Sequence, residues 1–282
     1  MYAELFRKGQ LFLPVSESLA NKLVKVGCDR TKIHVHHSGI DCARFKYEEP
    51  RRPEGQPIRI LTIGRLVEKK GVTYALEAVA KVIASGRSAF YDIVGDGPLR
   101  SELESLAEKY NISAFVGMNG WKSHQEVLTM MESSHLLLAP SITTDYGNEE
   151  GIPNVIKEAM AVGLPVVSTV HAGIPELVVN GESGYLVPER NVDLLAEKIM
   201  YLCDHPEIWP QMSRAARRKV ENEFDIEKLS SDLIALYAST IKSHGSDVST
   251  AGRSPLLSPE PATFSNIKKN KSHQPRQGSQ RN

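Results

Sequence analysis

The sequence predicts an α/β fold: a Rossmann-like parallel sheet with helices on both faces, followed by a disordered tail. Three observations lead there. Apolar runs alternate with helical patterns from residue 11 to residue 238. Glycine-bearing turns follow three of the expected strands, at 64–71, 95–98 and 171–176. After about residue 243 the apolar pattern stops. Strands separated by helical segments argue for β-α-β units, with right-handed crossovers and ligands at the carboxyl ends of the strands.

In chain order, residues 11–15 read as a strand, 17–26 as a helix and 33–36 as a strand. The charged, proline-bearing stretch 48–57 reads as a linker. Further strands are expected at 58–63, 89–94, 113–116, 136–139, 165–168 and 185–187. Helices are expected at 72–84 and 99–110, and near 123–133, 153–162, 175–179 and 191–203. Residues 206–242 turn all-helical, and Leu229, Leu233, Ile234 and Tyr237 make an apolar stripe on the last helix. The tail at 243–282 is rich in Ser, Pro, Gly, Gln, Asn and Lys. Such a composition cannot offset ordering entropy. Its basic end is read as solvated, with contact to anionic lipid or RNA as the minor alternative.

Composition narrows the function. The 282 residues suit one or two domains, and 41% hydrophobic content can build a sizeable core. Formal net charge is zero, so no whole-protein field attracts nucleic acid, and none is expected as a partner. Cys28, Cys42 and Cys203 are widely spaced and form neither a metal-ligand pattern nor a disulfide framework. No apolar run approaches the roughly 20 residues of a membrane span. The start of the chain makes a poor signal peptide. Ser-His-Asp, H-E-x-x-H, zinc-spacing and Asp-x-Asp signatures are absent from the sequence. His34, His36 and His37 read as structural rather than ligating.

The most informative stretch runs from Glu150 to Glu158 (EGIPNVIKE). Pro153 suits the first helical position, where no N–H is needed. Asn154 and Glu158 then share a helix face, while Glu150 stays in the loop before it. Open backbone N–H groups at a helix start attract anions, and flanking carboxylates suit hydroxyls. A nucleotide sugar carries both. An acidic helix start favouring the macrodipole would explain Glu150, but not Glu158, which lies past the first turn. Gly64-Arg65-Leu66-Val67-Glu68-Lys69-Lys70-Gly71 also follows a strand. There an Arg65 fork and a Lys70 point charge would neutralise a diphosphate, and a solvated basic loop is the alternative. Gly95-Asp96-Gly97-Pro98 departs from G-x-G-x-x-G, since Arg100 stands where the last glycine belongs. It reads as a strand-to-helix turn with Pro98 near the first helical position.

Together these residues resemble the donor-binding, C-terminal half of a family 4 (group 1) glycosyltransferase of the GT-B fold. The likeness runs from about residue 11 to residue 238. E-x7-E matches Glu150 to Glu158, G-R-L-x-x-x-K-G matches Gly64 to Gly71, G-x-G-P matches Gly95 to Pro98, and A-G-x-P-E matches Ala172 to Glu176. The entry pattern appears as Val15-Ser16-Glu17 and Ser38-Gly39-Ile40-Asp41 to Phe45, with Ser38 replacing the usual asparagine. The flavour is similar to bacterial exopolysaccharide enzymes of the colanic-acid type. The resemblance implies a catalytic set of Arg65, Lys70 and Glu150: the two cations on the diphosphate, the carboxylate at the donor sugar. It implies donor contacts at Gly64, Gly151, Asn154 and Val155, ribose binding by Glu158, and a base near Asn119 and Trp121. The expected chemistry is sugar transfer to a glycan or lipid-linked acceptor with retention. Neither metal nor cofactor is expected, since the nucleotide diphosphate sugar is a substrate. A cytoplasmic location is implied, with peripheral attachment to the inner face of the membrane left open.

The expected division is 1–48 as a remnant of the acceptor domain, 49–57 as linker, 58–225 as donor domain, 226–242 as crossover helix and 243–282 as tail. Most of the acceptor domain would then be missing, and apolar residues within 5–24 and 226–240 would be exposed. Three readings stay open: a donor subunit whose acceptor domain is another polypeptide, a truncated nucleotide-sugar-binding fragment, and a sugar-nucleotide epimerase. The Arg65/Lys70 and Glu150/Glu158 set disfavours the last.

Overall fold

The computed structural model describes residues 2–52 and 55–245. The chain divides into two units, Met1–Thr240 and Ile241–Asn282. The expected tail lies almost wholly outside the described residues, and the architecture is that of the first unit.

Six strands form one sheet: β1 (Ile58–Ile63), β2 (Ala89–Val94), β3 (Val116–Gly120), β4 (Leu136–Ala139), β5 (Val166–Thr169) and β6 (Tyr185–Val187). The order is β3-β2-β1-β4-β5-β6, and every neighbouring pair is parallel. The helices are α1 (Ala3–Lys8), α2 (Glu17–Lys25), α3 (Val72–Ala84), α4 (Arg100–Lys109), α5 (His124–Glu132), α6 (Asn154–Val162), α7 (Ile174–Leu177), α8 (Val192–Asp204), α9 (Trp209–Glu223) and α10 (Ile226–Gly245).

A parallel sheet needs cover on both faces, so its strands read as apolar runs. Ile58, Ile60 and Leu61 of β1 are all buried, yet they serve different faces. Ile58 and Ile60 pack with Leu76 and Val79 of α3, Leu103 of α4, and Leu195 and Ile199 of α8. Leu61 packs on the other face with Ile156 and Met160 of α6, Val220 of α9, and Phe224. The Tyr91 hydroxyl donates to Thr62 Oγ1 at 2.8 Å, and Thr62 Oγ1 donates to the Leu138 carbonyl at 2.5 Å. That buried chain ties β2, β1 and β4 together. Strands β1, β2 and β3 step outward in one direction, and β4, β5 and β6 in the other. The order therefore reverses between β1 and β4, and the crevice at their carboxyl ends is where doubly wound sheets take ligands.

Several expected elements differ. Residues 11–15 and 33–36 do not enter the sheet. They share one parallel bridge, Phe12 with Ile33, extended by bonds from His34 N–H to Phe12 O and His36 N–H to Pro14 O. Two short strands alone are marginal, and the small Phe6, Ala20, Cys28 and Ile33 cluster holds this segment. The strand expected at 113–116 is a 3-10 turn over Ser113–Phe115, followed by β3. Gly117, Asn119 and Gly120 have weak strand propensity, and pairing with β2 overrides it. Helix α4 begins at Arg100 with Leu99 as its N-cap, so Pro98 lies in the preceding turn rather than at the first helical position.

The N-terminal segment is tied to the sheet domain by a carboxylate. Glu176 accepts the backbone N–H groups of Glu17 at 3.0 Å and Ser18 at 3.3 Å, covering open donors at the start of α2. The exposed apolar residues expected in two stretches are present, including Leu5, Leu19 and Val24, and Ile234 and Tyr237 of α10.

Candidate functional site

Each motif reaches the β1/β4 crevice by its own backbone device. The loop after β1 closes on Gly71, whose φ of 64° is left-handed. A Cβ there would stand 1.9 Å from the Pro140 carbonyl oxygen, so only glycine lets the start of α3 meet the loop after β4. Helix α6 begins one residue later than expected, with Pro153 as its N-cap. It ends at Gly163, again left-handed, where a Cβ would lie 2.4 Å from Glu48 O.

The two motifs meet. Glu150 Oε2 lies 3.1 Å from Lys70 Nζ, and Oε1 lies 3.0 Å from Lys69 Nζ. Burial pushes the Glu150 carboxyl up, but Lys70 and Lys69 outweigh it and hold it below the ordinary carboxylate range. Two ammonium groups sharing one carboxylate leave a net positive cluster. Lys69 also donates to the Glu149 carbonyl at 3.3 Å, and Lys22 of α2 pairs with the Glu149 side chain. The neighbouring Arg65 is exposed, and among the described residues its guanidinium has no hydrogen-bond or ion-pair partner. Gly64, Lys70, Ser141, Pro153 and Val155 line one notch at the strand ends. It holds about 10 Å³, room for roughly one water and too small to enclose a nucleotide sugar.

On α6, Asn154 is exposed and its Oδ1 accepts from Lys157 Nζ at 3.0 Å. Glu158 is half-buried, and its carboxylate accepts no hydrogen bond from the described residues. Burial raises it above the ordinary range, with His124 and Lys157 partly offsetting that. Gly151 is exposed in the loop before α6.

Asn119, expected near the base, is held by hydrogen bonds within the sheet. Its amide donates to Asp92 Oδ1 at 2.8 Å and to Gly117 O at 3.0 Å, within a network that includes Arg59 Nη2 at 2.7 Å from Asp92 Oδ2. It lies on the edge strand β3, two strands from β1. Trp121 is 78% exposed, in the loop leading to His124.

Sequence reasoning missed three participants. Lys69 sits beside Lys70 and shares its carboxylate. His171, buried in the loop after β5, accepts the Glu150 backbone N–H at Nε2, at 3.0 Å. Glu189, after β6, contacts His171 Nδ1 at 2.6 Å. The first two lie within the turns at 64–71 and 171–176 but had no role assigned; Glu189 carried no sequence signal. Among the described residues no group of three or more His, Cys, Asp and Glu could hold a metal ion, and no helix is long and apolar enough to cross a membrane.

A larger cavity of about 840 Å³ lies at the opposite, amino ends of the strands, lined by Tyr47, Glu48, Glu49, Met131, His135 and Leu164. Two of its charged pairs are engaged: Lys46 with Glu48 at 2.6 Å, and Glu49 with Arg214. Parallel sheets present their ligand crevices at the other end, so size alone does not make it the site.

Known proteins resemble this chain in sequence and in fold. WcaL of Escherichia coli (strain K12), named for colanic acid biosynthesis, is 41% identical over 237 residues, covering 83% of this chain and 58% of that protein. The amylovoran biosynthesis glycosyltransferase AmsK of Erwinia amylovora is 38% identical, covering 79% and 55%. The chain thus spans somewhat over half the length of these relatives. A glycosyltransferase structure from Rickettsia africae ESF-5 superposes with a TM-score of 0.74 at 22% identity, covering 86% of this chain and 66% of that one. Anabaena Alr3699/HepE in complex with UDP superposes with a TM-score of 0.72 at 20% identity, covering 82% and 64%. Both share the α/β architecture. The family model for glycosyl transferases group 1 matches residues 44–219, a span holding β1 to β6 and both crevice motifs, and the chain belongs to that family.

Proposed function

We propose that this chain binds a nucleoside diphosphate sugar across the carboxyl ends of β1 and β4 and supplies the donor side of a glycosyl transfer in exopolysaccharide assembly. One observation carries the reading. Lys70 and Glu150, 80 residues apart, come within 3.1 Å at the point where the strand order reverses. A cationic turn and a carboxylate-bracketed helix start there face one ligand.

In this reading Arg65, Lys69 and Lys70 neutralise the diphosphate and stabilise it as a leaving group, which is electrostatic catalysis. The α6 start, through the amides near Gly151, Asn154 and Val155, meets a phosphate or sugar oxygen. Glu150 accepts from a donor-sugar hydroxyl, and Glu158 from the ribose. A half-buried carboxylate without a partner is suited to that task, because hydroxyl donors would satisfy it. Asn119 and Trp121 lie toward the base, where the exposed indole offers a stacking face. The residues named address only the donor. A glycan or lipid-linked acceptor, an acceptor-domain polypeptide, retention of configuration, independence of metal and a cytoplasmic site of action belong to the same proposal through the family resemblance. The relatives named for colanic acid and amylovoran, and the neighbour crystallised with UDP, support its direction.

The test is calorimetry with a panel of nucleoside diphosphate sugars. Glu158→Ala removes a charged acceptor, worth roughly 1.5–3 kcal/mol. Binding should weaken about 10- to 100-fold with the fold intact. Unchanged affinity would remove the ribose assignment.

A further inference from the structure

We propose that His171 and Glu189 form a positioning pair that fixes Glu150 against the donor sugar, an inference resting on the donor reading above. His171 is buried, at 1% exposure, yet its bond goes to an irregular loop rather than to regular secondary structure. Nε2 accepts the Glu150 backbone N–H at 3.0 Å, so that nitrogen carries no proton. The proton then sits on Nδ1, which donates to Glu189 Oε1 at 2.6 Å. The other Glu189 oxygen accepts the Thr143 N–H at 2.8 Å. Thr143 and Glu150 bound one loop, and the pair clips it at both ends. Between them Thr144 N–H donates to Asn148 O and Gly147 N–H to Thr144 O, closing a tight turn.

The backbone around the pair is strained in a telling way. Among the described residues, three non-glycine positions have left-handed φ: Asn111, Ala172 at 44° and Arg190 at 61°. The last two directly follow His171 and Glu189. Such conformations persist where surrounding contacts over-determine them, and they cluster at functional sites. Here they flank the imidazole and the carboxylate that bond the loop. The Glu150 main chain is thereby held from the β5 and β6 side while its carboxylate meets Lys69 and Lys70 from the β1 side. His171 and Glu189 touch no substrate in this scheme. They act through Glu150.

The experiment measures UDP and UDP-glucose binding by calorimetry on the full chain. If Glu150 touches the sugar, its placement governs the preference for UDP-glucose over UDP, beyond any effect that reaches both ligands alike through Lys69 and Lys70. His171→Leu should cut that preference about tenfold, the factor one misplaced charge-assisted hydrogen bond carries. His171→Gln, whose amide oxygen can accept the Glu150 N–H, should restore most of the preference. Glu189→Gln should lower it in the same direction, and it stands in for His171→Leu if that variant fails to fold. In a Glu150→Ala background, His171→Leu should cost nothing further. A folded His171→Leu with the wild-type preference overturns the proposal, as does equal weakening of both ligands. If the wild type prefers neither UDP-glucose nor any other nucleoside diphosphate sugar of the panel over its parent nucleoside diphosphate, the donor reading fails and this proposal falls with it. If Glu150→Ala loses the preference and His171→Leu keeps it, the donor reading stands and the positioning role alone is refuted.

Discussion

Lys157 is a fully buried ammonium, and it makes stability depend on pH in a calculable way. Its side chain has 0% exposure. Nζ donates to Ser38 O at 2.5 Å, Ser38 Oγ at 2.9 Å and Asn154 Oδ1 at 3.0 Å, all neutral acceptors. It also lies 5.7 Å from the centre of the Phe224 ring. Burial lowers its pKa from 10.5 to about 8, with Glu158 opposing. The sign follows from proton counting. Between pH values near 8 and 10.5 the unfolded chain holds this proton and the folded chain does not. Stability therefore rises with pH across that window. At about 1.4 kcal/mol per pK unit, the rise is about 3 kcal/mol. Lys157→Met keeps the volume and removes the titration. The assay is urea unfolding of both proteins from pH 7 to pH 10.5 and above. The wild type minus variant difference should climb by about 3 kcal/mol, a midpoint change of about 1 M. A flat difference curve would refute the buried-ammonium account. A difference falling with pH would mean the lysine is held by a negative partner instead.

Two further perturbations test how the motifs are held. Gly71→Ala forces a Cβ to within 1.9 Å of Pro140 O at a left-handed φ; it should cost at least about 2 kcal/mol in urea unfolding and weaken nucleotide-sugar binding by displacing Lys70. Wild-type stability in that variant would show that the β1 and β4 loops do not approach as described. Glu176→Ala uncovers two N–H groups of α2 and should cost about 1–2 kcal/mol. Amide exchange should quicken across residues 17–24 while β1 stays protected; unchanged exchange there would contradict the capping role.

Much of the sheet was legible because its strands carry a two-sided apolar signal. The runs 58–63, 89–94, 136–139 and 185–187 coincide with β1, β2, β4 and β6, since burial on both faces demands such runs. Edge strand β3 was misplaced because its residues are only half-buried and two of its five are glycine. The segments at 11–15 and 33–36 have strand-like composition but find no sheet to join. At the crevice, Lys70 and Glu150 could be named as candidates from motifs, because glycine and proline at fixed spacing mark turns at strand ends, and the family resemblance singles out the charges within them. Lys69 could not be separated from its neighbour on type alone. His171 and Glu189 were invisible as a pair, since their contact depends on how the loops after β5 and β6 fold over each other. Lys157 carries no sequence signal of burial, and the packing of Ser38 and Phe224 against α6 covers it.

The most direct test of the central claim is where the ligand lands. Backbone amide resonances of the chain can be followed during titration with UDP-glucose. The account predicts shifts concentrated at Gly64, Arg65, Lys70, Gly151, Asn154 and Val155, at the carboxyl ends of β1 and β4. Shifts confined to Tyr47, Glu49, Met131 and His135, around the larger cavity at the opposite end of the sheet, would contradict it.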